Sequence, residues 1–481
     1  MTYQTHQTHL ADNDLASIQE GRNLLRRSRD AWQTMRHFSQ AQVDRITLAM
    51  VEEGARHAER LGRLAVDETG MGVVQSKKLK NLFSTLDLWE DIKDLQTVGV
   101  VHRDEERKFY QIAEPYGVIL GIVPTTNPTS TALFKVIIAA KSRNGIVISP
   151  HPRSVKCIAE SVRVLNDAAL RNGAPEGLIS CITNPTLEGT QAAMRDRNCA
   201  LILATGGPDL VREAYSAGKP AYGVGPGNVP VYIDRSADPD LAARGVIASQ
   251  TFDNGTICAS EQSLVIDLPI KQQVLDAFEK HGAYLVDAAE KRLLEKVAMR
   301  GRRMNPDIVG QYPFRIAELA GFSVPRETTV LLAEEQVVGW QAPLSAEKLC
   351  PLLAVYTADG WRAGCERCFE ILEFGGLGHT LGIYSTDEQV IWQFANEKPS
   401  HRVIVNGPTS QGGVGDSTYL RPSMTLGCGA AGMNITSDNV SAHNLILRKH
   451  VGYTKPGFVD RYQVPPRPAF VGPYSAPGPA G

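Results

Sequence analysis

The stretch YGVILGIVPTTNPTS, residues 116–130, is an apolar run that leads into a polar loop. Valine, isoleucine and leucine dominate the run, which predicts a buried β-strand. The loop carries two prolines, several hydroxyl side chains and Asn127. Ligands of α/β proteins bind beyond the carboxyl ends of parallel strands. The segment therefore predicts both the fold class and one wall of a binding site.

Further strands are predicted on both sides of this segment. GIVISP, LISCI, CALILATGG and VPVYI follow it, separated by helical stretches such as residues 161–171, which Gly173 would end. A second series contains SLVID, a helix over 271–280, LLAVY, LGIYS and RVIVN. Strands that alternate with helices predict parallel sheets covered on both faces. We expect two α/β domains, preceded by a helical layer over 14–95, an exposed hairpin over 98–115, and a Pro/Gly-rich tail after 451.

Composition narrows the function classes. A chain of 481 residues is too long for a single hydrophobic core, so more than one domain is expected. Its net charge of -2 gives no electrostatic reason to expect nucleic acid or an anionic membrane as a partner. No apolar run is long enough to span a bilayer, and the N-terminus has no apolar signal region, so we expect a cytoplasmic protein. The eight cysteines are too sparse for a disulfide scaffold. Cys365 and Cys368 lie in the helical stretch AGCERCFEILEF without a second ligand pair, so we predict no metal site.

Cys258 lies in FDNGTICASEQS, residues 252–263. Gly255 allows a tight turn before it, and residues 259–262 predict a first helical turn or the start of a strand, whose backbone donors could favour an anion. This is a suitable place for a nucleophilic thiol. The alternative for an isolated cysteine is a buried structural residue.

Other segments carry candidate ligand groups, each with a structural alternative. The Asn127 amide could stabilise an oxyanion, or could only form an Asn–Pro turn. Backbone donors near Gly207 could face a diphosphate, although glycine pairs are common at such turns. Glu347 could bind ribose hydroxyls or be solvated. Glycine-rich stretches are further candidates for the lining of the pocket: Gly223, Gly225 and Gly227, GGLGHT with His379, TSQGGVGD and TLGCGAAG.

Several segments, in family order, resemble the aldehyde dehydrogenase superfamily, and more narrowly its CoA-acylating branch, including the aldehyde dehydrogenase half of bifunctional aldehyde-alcohol dehydrogenases. They are GIVPTTNPTSTALFK, ISPHPRS, TFDNGTICASEQS, EKLCPLLAVY, GGLGHT and NGPTSQGG with TLGCG, within residues 16–450. The resemblance implies an aldehyde dehydrogenase-like α/β fold. It divides the chain into a Rossmann-like NAD domain (1–97 and 116–240), a catalytic domain (241–435), an oligomerisation hairpin and arm (98–115 and 436–455) and a tail (456–481).

The resemblance also implies roles for single residues. Cys258 would be the nucleophile, and Asn127 with the Cys258 backbone N–H would hold the oxyanion. NAD would be the cofactor, CoA and a small aldehyde the other reactants, and the assembly a homodimer or homotetramer. The implied NAD site consists of Ile122, Val123, Pro124, Thr125, Thr126, Asn127, Gly207, Gly225, Glu347 and Leu426.

Two departures from hydrolytic members are informative. Gly223 stands where those enzymes carry a glutamate that activates water, and Ser149, His151 and Arg153 lie where a ribose-binding lysine is usual. Without the base, a thioester should wait for CoA, which attacks thioesters better than water does. The implied reaction is reversible, CoA-dependent oxidation of acetaldehyde or propionaldehyde.

Several alternatives stay open. They are sulfoacetaldehyde as substrate with Arg153 or Arg421 binding its anion, a hydrolytic enzyme with another base, and an inactive structural relative. The tail could be a packaging peptide for a bacterial microcompartment or a disordered segment.

Overall fold

Five helices precede the first strand. The computed structural model describes residues 12–458, and these helices are α1 (Asn13–Met35), α2 (Gln40–Arg56), α3 (Ala58–Thr69), α4 (Val74–Leu82) and α5 (Leu88–Ile92). A π-helical turn, Phe83–Asp87, joins the last two. Ser39 and Gln42 form a capping box at the start of α2. The predicted helical layer is confirmed.

The predicted hairpin is also present. Strands β1 (Val100–Asp104) and β2 (Phe109–Pro115) pair antiparallel, and a strand from the far end of the chain, β17 (Ile446–Gly452), pairs with the other side of β2. This three-stranded sheet is mostly exposed along β17. The segments 98–115 and 436–455 therefore meet in one small sheet, with β1 and β17 as its edges.

A five-stranded parallel sheet follows the hairpin. Its strands are β3 (Val118–Val123), β4 (Gly145–Pro150), β5 (Ile179–Cys181), β6 (Cys199–Thr205) and β7 (Ala221–Val224), in the order β5-β4-β3-β6-β7. Four helices connect them: α6 (Pro128–Lys141), α7 (Val155–Arg171), α8 (Leu187–Arg195) and α9 (Pro208–Ser216). The connections leave β3 and β6 in opposite directions, so a crevice opens between their carboxyl ends.

A seven-stranded parallel sheet forms the second α/β unit. In chain order its strands are β8 (Val229–Ile233), β9 (Glu261–Asp267), β10 (Ala283–Leu285), β13 (Val330–Glu334), β14 (Leu352–Ala358), β15 (Leu381–Tyr384) and β16 (Val403–Val405). The helices are α10 (Pro239–Thr251), α11 (Lys271–Lys280), α12 (Ala288–Ala298), α13 (Pro313–Ala320), α14 (Gly360–Gly375), α15 (Glu388–Glu397) and α16 (Thr409–Val414). A two-residue ribbon, β11 (Met299–Arg300) with β12 (Arg303–Met304), lies outside the sheet. The spatial order is β10-β13-β14-β9-β8-β15-β16.

One expected boundary is wrong. VPVYI, placed by the sequence in the first domain, forms β8, which pairs with β9 and β15 in the second sheet. The change of sheet therefore falls between β7 and β8 and not at residue 240. The sequence reading missed β7, β10 and β13, which are short or follow loops of mixed polarity. A buried apolar run does not reveal which sheet it joins, because that depends on distant partners.

Three other expectations bear on the kind of protein. Cys365 and Cys368 lie in α14 and are buried free thiols. Residues 12–458 contain no cluster of three or more His, Cys, Asp or Glu side chains suited to a metal ion. Among the helices of the same range, none has the length and apolar character needed to cross a membrane. Almost all of the predicted tail lies outside the described residues.

Candidate active site

Cys258 lies in the connection between α10 and β9. A 3₁₀ turn, Phe252–Gly255, follows α10, and Asp253, Asn254 and Gly255 all have positive φ angles of 53°, 51° and 69°. Aspartate, asparagine and glycine are the residues that most readily adopt this conformation. Ser260 closes the connection by donating its N–H to the Ile257 carbonyl at 2.9 Å. Of the two readings left open for residues 259–262, the start of a strand is correct.

His379 is the direct partner of the cysteine sulfur. Its Nε2 lies 3.2 Å from Cys258 Sγ, and its Nδ1 lies 2.9 Å from Thr380 Oγ1. The histidine follows α14 in the GGLGHT loop and is fully buried. The sequence suggested His379 only as a pocket lining, because no spacing rule links it to a cysteine 121 residues away.

Glycines bring this histidine within reach of the sulfur. A Cβ at Gly376 would lie 1.9 Å from the Gly227 carbonyl oxygen, and a Cβ at Gly227 would lie 1.9 Å from the Cys258 carbonyl oxygen. Neither contact leaves room for a side chain. The two glycine-rich stretches therefore stack against the segment 252–260, called the nucleophile turn because it carries the candidate nucleophile Cys258. They have a packing role as well as a place near the site.

The surroundings keep the cysteine and the histidine neutral. Burial raises the pKa of Cys258 to about 12, helped by the Glu347 carboxylate and opposed by Arg402. Burial, with Arg402, holds the pKa of His379 well below its usual value. At pH 7 the thiol therefore keeps its proton and the imidazole is free to accept it. A nucleophile at this position would therefore form by proton transfer during attack, since no resting thiolate is favoured.

Arg402 supports the histidine from behind. The guanidinium is buried and donates from Nε to Thr380 Oγ1 at 3.4 Å and from Nη2 to the Gly427 carbonyl at 2.6 Å. One lone pair of Thr380 is thereby occupied, while the other can accept the proton of His379 Nδ1. That tautomer leaves Nε2 as the acceptor that faces the sulfur. Arg402 was not identified from the sequence, because its contacts with Thr380 and Gly427 form only in the folded chain.

Asn127 lies beside the nucleophile turn. It directly precedes α6, where Pro128 takes the first helical position. Its Nδ2 donates to the Thr256 carbonyl at 2.9 Å and, more weakly, to Thr126 Oγ1 at 3.3 Å, while its Oδ1 accepts from Lys80 Nζ at 2.5 Å. The structure thus brings together the asparagine of the first sheet and the cysteine that precedes β9 of the second.

The crevice between β3 and β6 suits a dinucleotide. Ile122 and Val123 end β3, and residues 124–126 form a half-buried loop beyond it. Gly207 precedes α9 and has open space at its Cβ position, as does Gly225. The hydroxyls of Thr125 and Thr205 are buried without a partner among the described residues. Open backbone, a helix N-terminus and unpaired hydroxyls are the groups that bind phosphates and ribose.

Glu347 and Leu426 lie at different depths. Glu347 is half-buried and accepts the Gly227 N–H at 2.7 Å, and burial raises its pKa to about 7. It is therefore not the solvated side chain of the structural alternative. Leu426 is 1% exposed and packs in the core that also contains β3. A cofactor contact for either residue stays a prediction.

The position expected for a hydrolytic base has no room for one. Gly223 lies in β7, and a Cβ there would be 2.9 Å from Val211 Cγ1 and 3.2 Å from Tyr215 Cε2. The Tyr215 hydroxyl also bonds with the backbone of Gly223. Helix α9 thus fills the space with an aromatic ring.

Ser149 and His151, which lie where a ribose-binding lysine is usual, form hydrogen bonds within the protein. Ser149 pairs with Thr190 at 3.0 Å, and His151 accepts the Arg153 N–H at 3.1 Å. His151 and Arg153 are exposed.

Known proteins are similar to this chain in sequence and in fold. Residues 2–291 match the model of the aldehyde dehydrogenase family. The bifunctional aldehyde-alcohol dehydrogenase AdhE of Escherichia coli (strain K12) is 42% identical over 442 residues, which are 91% of this chain and 50% of that protein. A sulfoacetaldehyde dehydrogenase of an Acholeplasma species is 33% identical over 93% of this chain and 92% of its own length.

A solved structure extends the likeness to the fold. The acetylating aldehyde dehydrogenase of Geobacillus thermoglucosidasius has a TM-score of 0.91 and 48% identity, over 93% of this chain and 99% of that one. The chain spans about half the length of the aldehyde-alcohol dehydrogenases that it matches. The family match covers more than half of the chain, and the ordered motifs, the two parallel sheets and the cysteine between them agree with it. The chain belongs to the aldehyde dehydrogenase family.

Proposed function

We propose that the protein is a CoA-acylating aldehyde dehydrogenase that converts a short-chain aldehyde, CoA and NAD⁺ reversibly into acyl-CoA, NADH and a proton. Acetaldehyde or propionaldehyde is the proposed substrate. The observation that carries the proposal is the Cys258–His379 pair beside the β3–β6 crevice, combined with a filled position at Gly223. The relatives named as acetylating or aldehyde-alcohol dehydrogenases support it.

Attack on the aldehyde begins at the neutral thiol. Cys258 Sγ bonds to the carbonyl carbon while its proton passes to His379 Nε2 across 3.2 Å. The imidazole can take the proton because its Nδ1 proton is held by Thr380. The product is a thiohemiacetal whose oxygen carries the developing negative charge.

Asn127 and the Cys258 backbone N–H are the proposed donors to that oxygen. The 3.3 Å bond from Asn127 Nδ2 to Thr126 Oγ1 is the weaker of its two, so the oxyanion can replace it without breaking the bond to Thr256. Preorganised donors of this kind contribute about 100- to 1,000-fold to rate. NAD bound in the crevice would accept the hydride, which leaves an acyl thioester on Cys258.

The thioester then waits for a thiol. Gly223 offers no carboxylate to activate water, and a Cβ there would press against Val211 and Tyr215. His379 is neutral after it releases its proton and can accept the proton of the CoA thiol as that sulfur attacks. Acyl-CoA leaves and the Cys258 thiol is restored. The Glu347 carboxylate, which raises the pKa of Cys258, already accepts the Gly227 N–H.

Omission of CoA tests the proposal. With acetaldehyde and NAD⁺, we expect about one NADH per active site without CoA and continuous turnover to acetyl-CoA with it. Cys258→Ser should lose both, whereas Cys368→Ser, a substitution of a buried cysteine in α14, should keep the stoichiometric NADH. Continuous NADH and free acetate without CoA would instead assign a hydrolytic aldehyde dehydrogenase.

The substrate is tested by a panel of aldehydes. Arg421 already contacts Asp91 and His443, and Arg153 is exposed, so no observed contact favours an anionic aldehyde. We therefore expect a higher kcat/KM for acetaldehyde and propionaldehyde than for sulfoacetaldehyde. The reverse order would assign the latter substrate, which the Acholeplasma relative is named for.

Assembly, location and cofactor type complete the proposal. The exposed edge of β17 supports a homodimer or homotetramer formed through the small sheet. The eight free cysteines support a reducing compartment such as the cytoplasm. The cofactor is proposed as NAD, and comparison of kcat/KM for NAD⁺ and NADP⁺ tests this.

A further inference from the structure

A buried charged cluster lies directly behind Asn127. Lys77 and Lys80 project from α4 and Asp253 from the nucleophile turn, and the three residues are 1%, 3% and 0% exposed. Charged side chains are seldom buried so completely, because removing an ion from water is energetically unfavourable. The mechanism described above does not account for this cluster.

Asp253 is the centre of the cluster. Its Oδ2 accepts hydrogen bonds from Lys77 Nζ at 2.9 Å, from Lys80 Nζ, and from Thr256 Oγ1 at 2.6 Å. Its Oδ1 accepts the Val73 N–H at 2.7 Å. The left-handed backbone at residue 253 turns this carboxylate away from solvent and towards α4. The cluster therefore ties the helical layer to the turn that carries the nucleophile.

The two lysines reach different parts of the asparagine loop. Lys80 Nζ donates to the side-chain oxygen of Asn127 at 2.5 Å, whereas Lys77 Nζ donates to the backbone oxygen of Thr126 at 3.1 Å. Lys80 thus contacts the amide group itself, and Lys77 contacts only the chain beside it.

An ammonium group selects one orientation of an amide. It can only donate, so it pairs with the amide oxygen and excludes the arrangement in which the –NH₂ group faces it. With Oδ1 held in this way, the –NH₂ group of Asn127 must face Thr256 and the turn of Cys258. A hydrogen bond from a cation also polarises the amide and makes its N–H groups better donors.

We propose that Lys80, anchored by Asp253, is a positioning residue that fixes and polarises the Asn127 amide for the oxyanion of the reaction. The inference rests on the proposed function, because it assigns a role within the same site. Burial lowers the pKa of Lys80 to about 8, opposed by the Asp253 carboxylate, so most of the lysine is still protonated at pH 7.

The two neighbouring lysines provide a matched test in the full-length protein. Lys80→Met and Lys77→Met each remove one buried ammonium from the same carboxylate, and only the first removes the contact with Asn127. We expect Lys80→Met to lower kcat for acyl-CoA formation about 10- to 100-fold, less than the full loss of an oxyanion donor. The KM for aldehyde should change less than about threefold, and Lys77→Met should lower kcat by less than about fivefold.

A double-mutant cycle separates positioning from general stability. In an Asn127→Ala background, Lys80→Met should lower kcat by less than about twofold, because the lysine acts through the missing amide. Lys80→Gln is measured in parallel, so that the result does not depend on tolerance of a buried methionine. The melting temperatures of the two lysine variants identify any shared structural effect.

Three results would overturn the inference. In the first, Lys80→Met lowers kcat by the same factor with and without Asn127→Ala. In the second, Lys80→Met and Lys77→Met lower kcat equally. In the third, the rate of Cys258 alkylation in Lys80→Met falls by the same factor as kcat. The last would mean that Lys80 acts on the thiol and not on the oxyanion. A wild-type protein without CoA-dependent turnover would instead remove the proposed function, before any variant is compared.

Discussion

Replacement of His379 by glutamine tests the proton acceptor of the proposed mechanism. Glutamine keeps a polar side chain in the GGLGHT loop but cannot take up a proton. Loss of a positioned general base costs about 100- to 10,000-fold in rate, or about 3 to 5 kcal/mol of transition-state stabilisation. The 3.2 Å contact between Nε2 and Sγ is the structural basis for a full effect.

The pH dependence distinguishes this role from a general loss of structure. The pKa of His379 lies well below 6.5, so the wild-type base is neutral between pH 7 and 9 and hydride formation should not rise with pH there. It should fall above about pH 8, where Lys80 loses the proton that polarises Asn127. In His379→Gln the thiol must ionise without an acceptor, and its pKa of about 12 means that about one sulfur in 10,000 is ionised at pH 8. The rate of the variant should rise about tenfold per pH unit over this range.

Single-turnover NADH absorbance measures the step without interference from CoA. His401→Gln is the matched control, since His401 is exposed and also lies close to Arg402. This control should keep the wild-type rate and the wild-type pH profile. A His379→Gln variant with an unchanged rate, or a wild-type rate that climbs tenfold per pH unit between pH 7 and 9, would refute proton transfer to His379.

Two further substitutions test the packing around the nucleophile. Gly227→Ala should lower kcat about 100-fold, because its Cβ would lie 1.9 Å from the Cys258 carbonyl oxygen and must shift Cys258. Steady-state rates measure the loss of kcat, and a melting curve should show that the variant stays folded. Gly223→Glu should lower the free energy of unfolding by about 1 to 3 kcal/mol, because the new side chain would press against Val211 and Tyr215; denaturant unfolding measures this. The variant should also release no acetate in the absence of CoA. Steady acetate release would show that the missing carboxylate alone blocks hydrolysis.

Local sequence was sufficient for most elements of the fold. The 271–280 helix, the 98–115 hairpin and the strand before Asn127 have patterns that their own residues impose. The assignment of β8 failed, because an apolar strand such as VPVYI satisfies either sheet and only distant partners choose between them.

The candidate site also contains some residues that the local sequence predicts and others that only the folded structure reveals. A thiol after a tight turn and a polar loop after a strand can be recognised from the sequence, so Cys258 and Asn127 were named from it. Their partners could not be, since no spacing rule links His379 to Cys258 across 121 residues or Lys80 to Asn127 across 47 residues. The sequence by itself determined the fold class and named Cys258 as the candidate reacting group. Only the tertiary structure decided which side chains meet Cys258 and Asn127, because those contacts depend on side chains that burial brings together from distant elements.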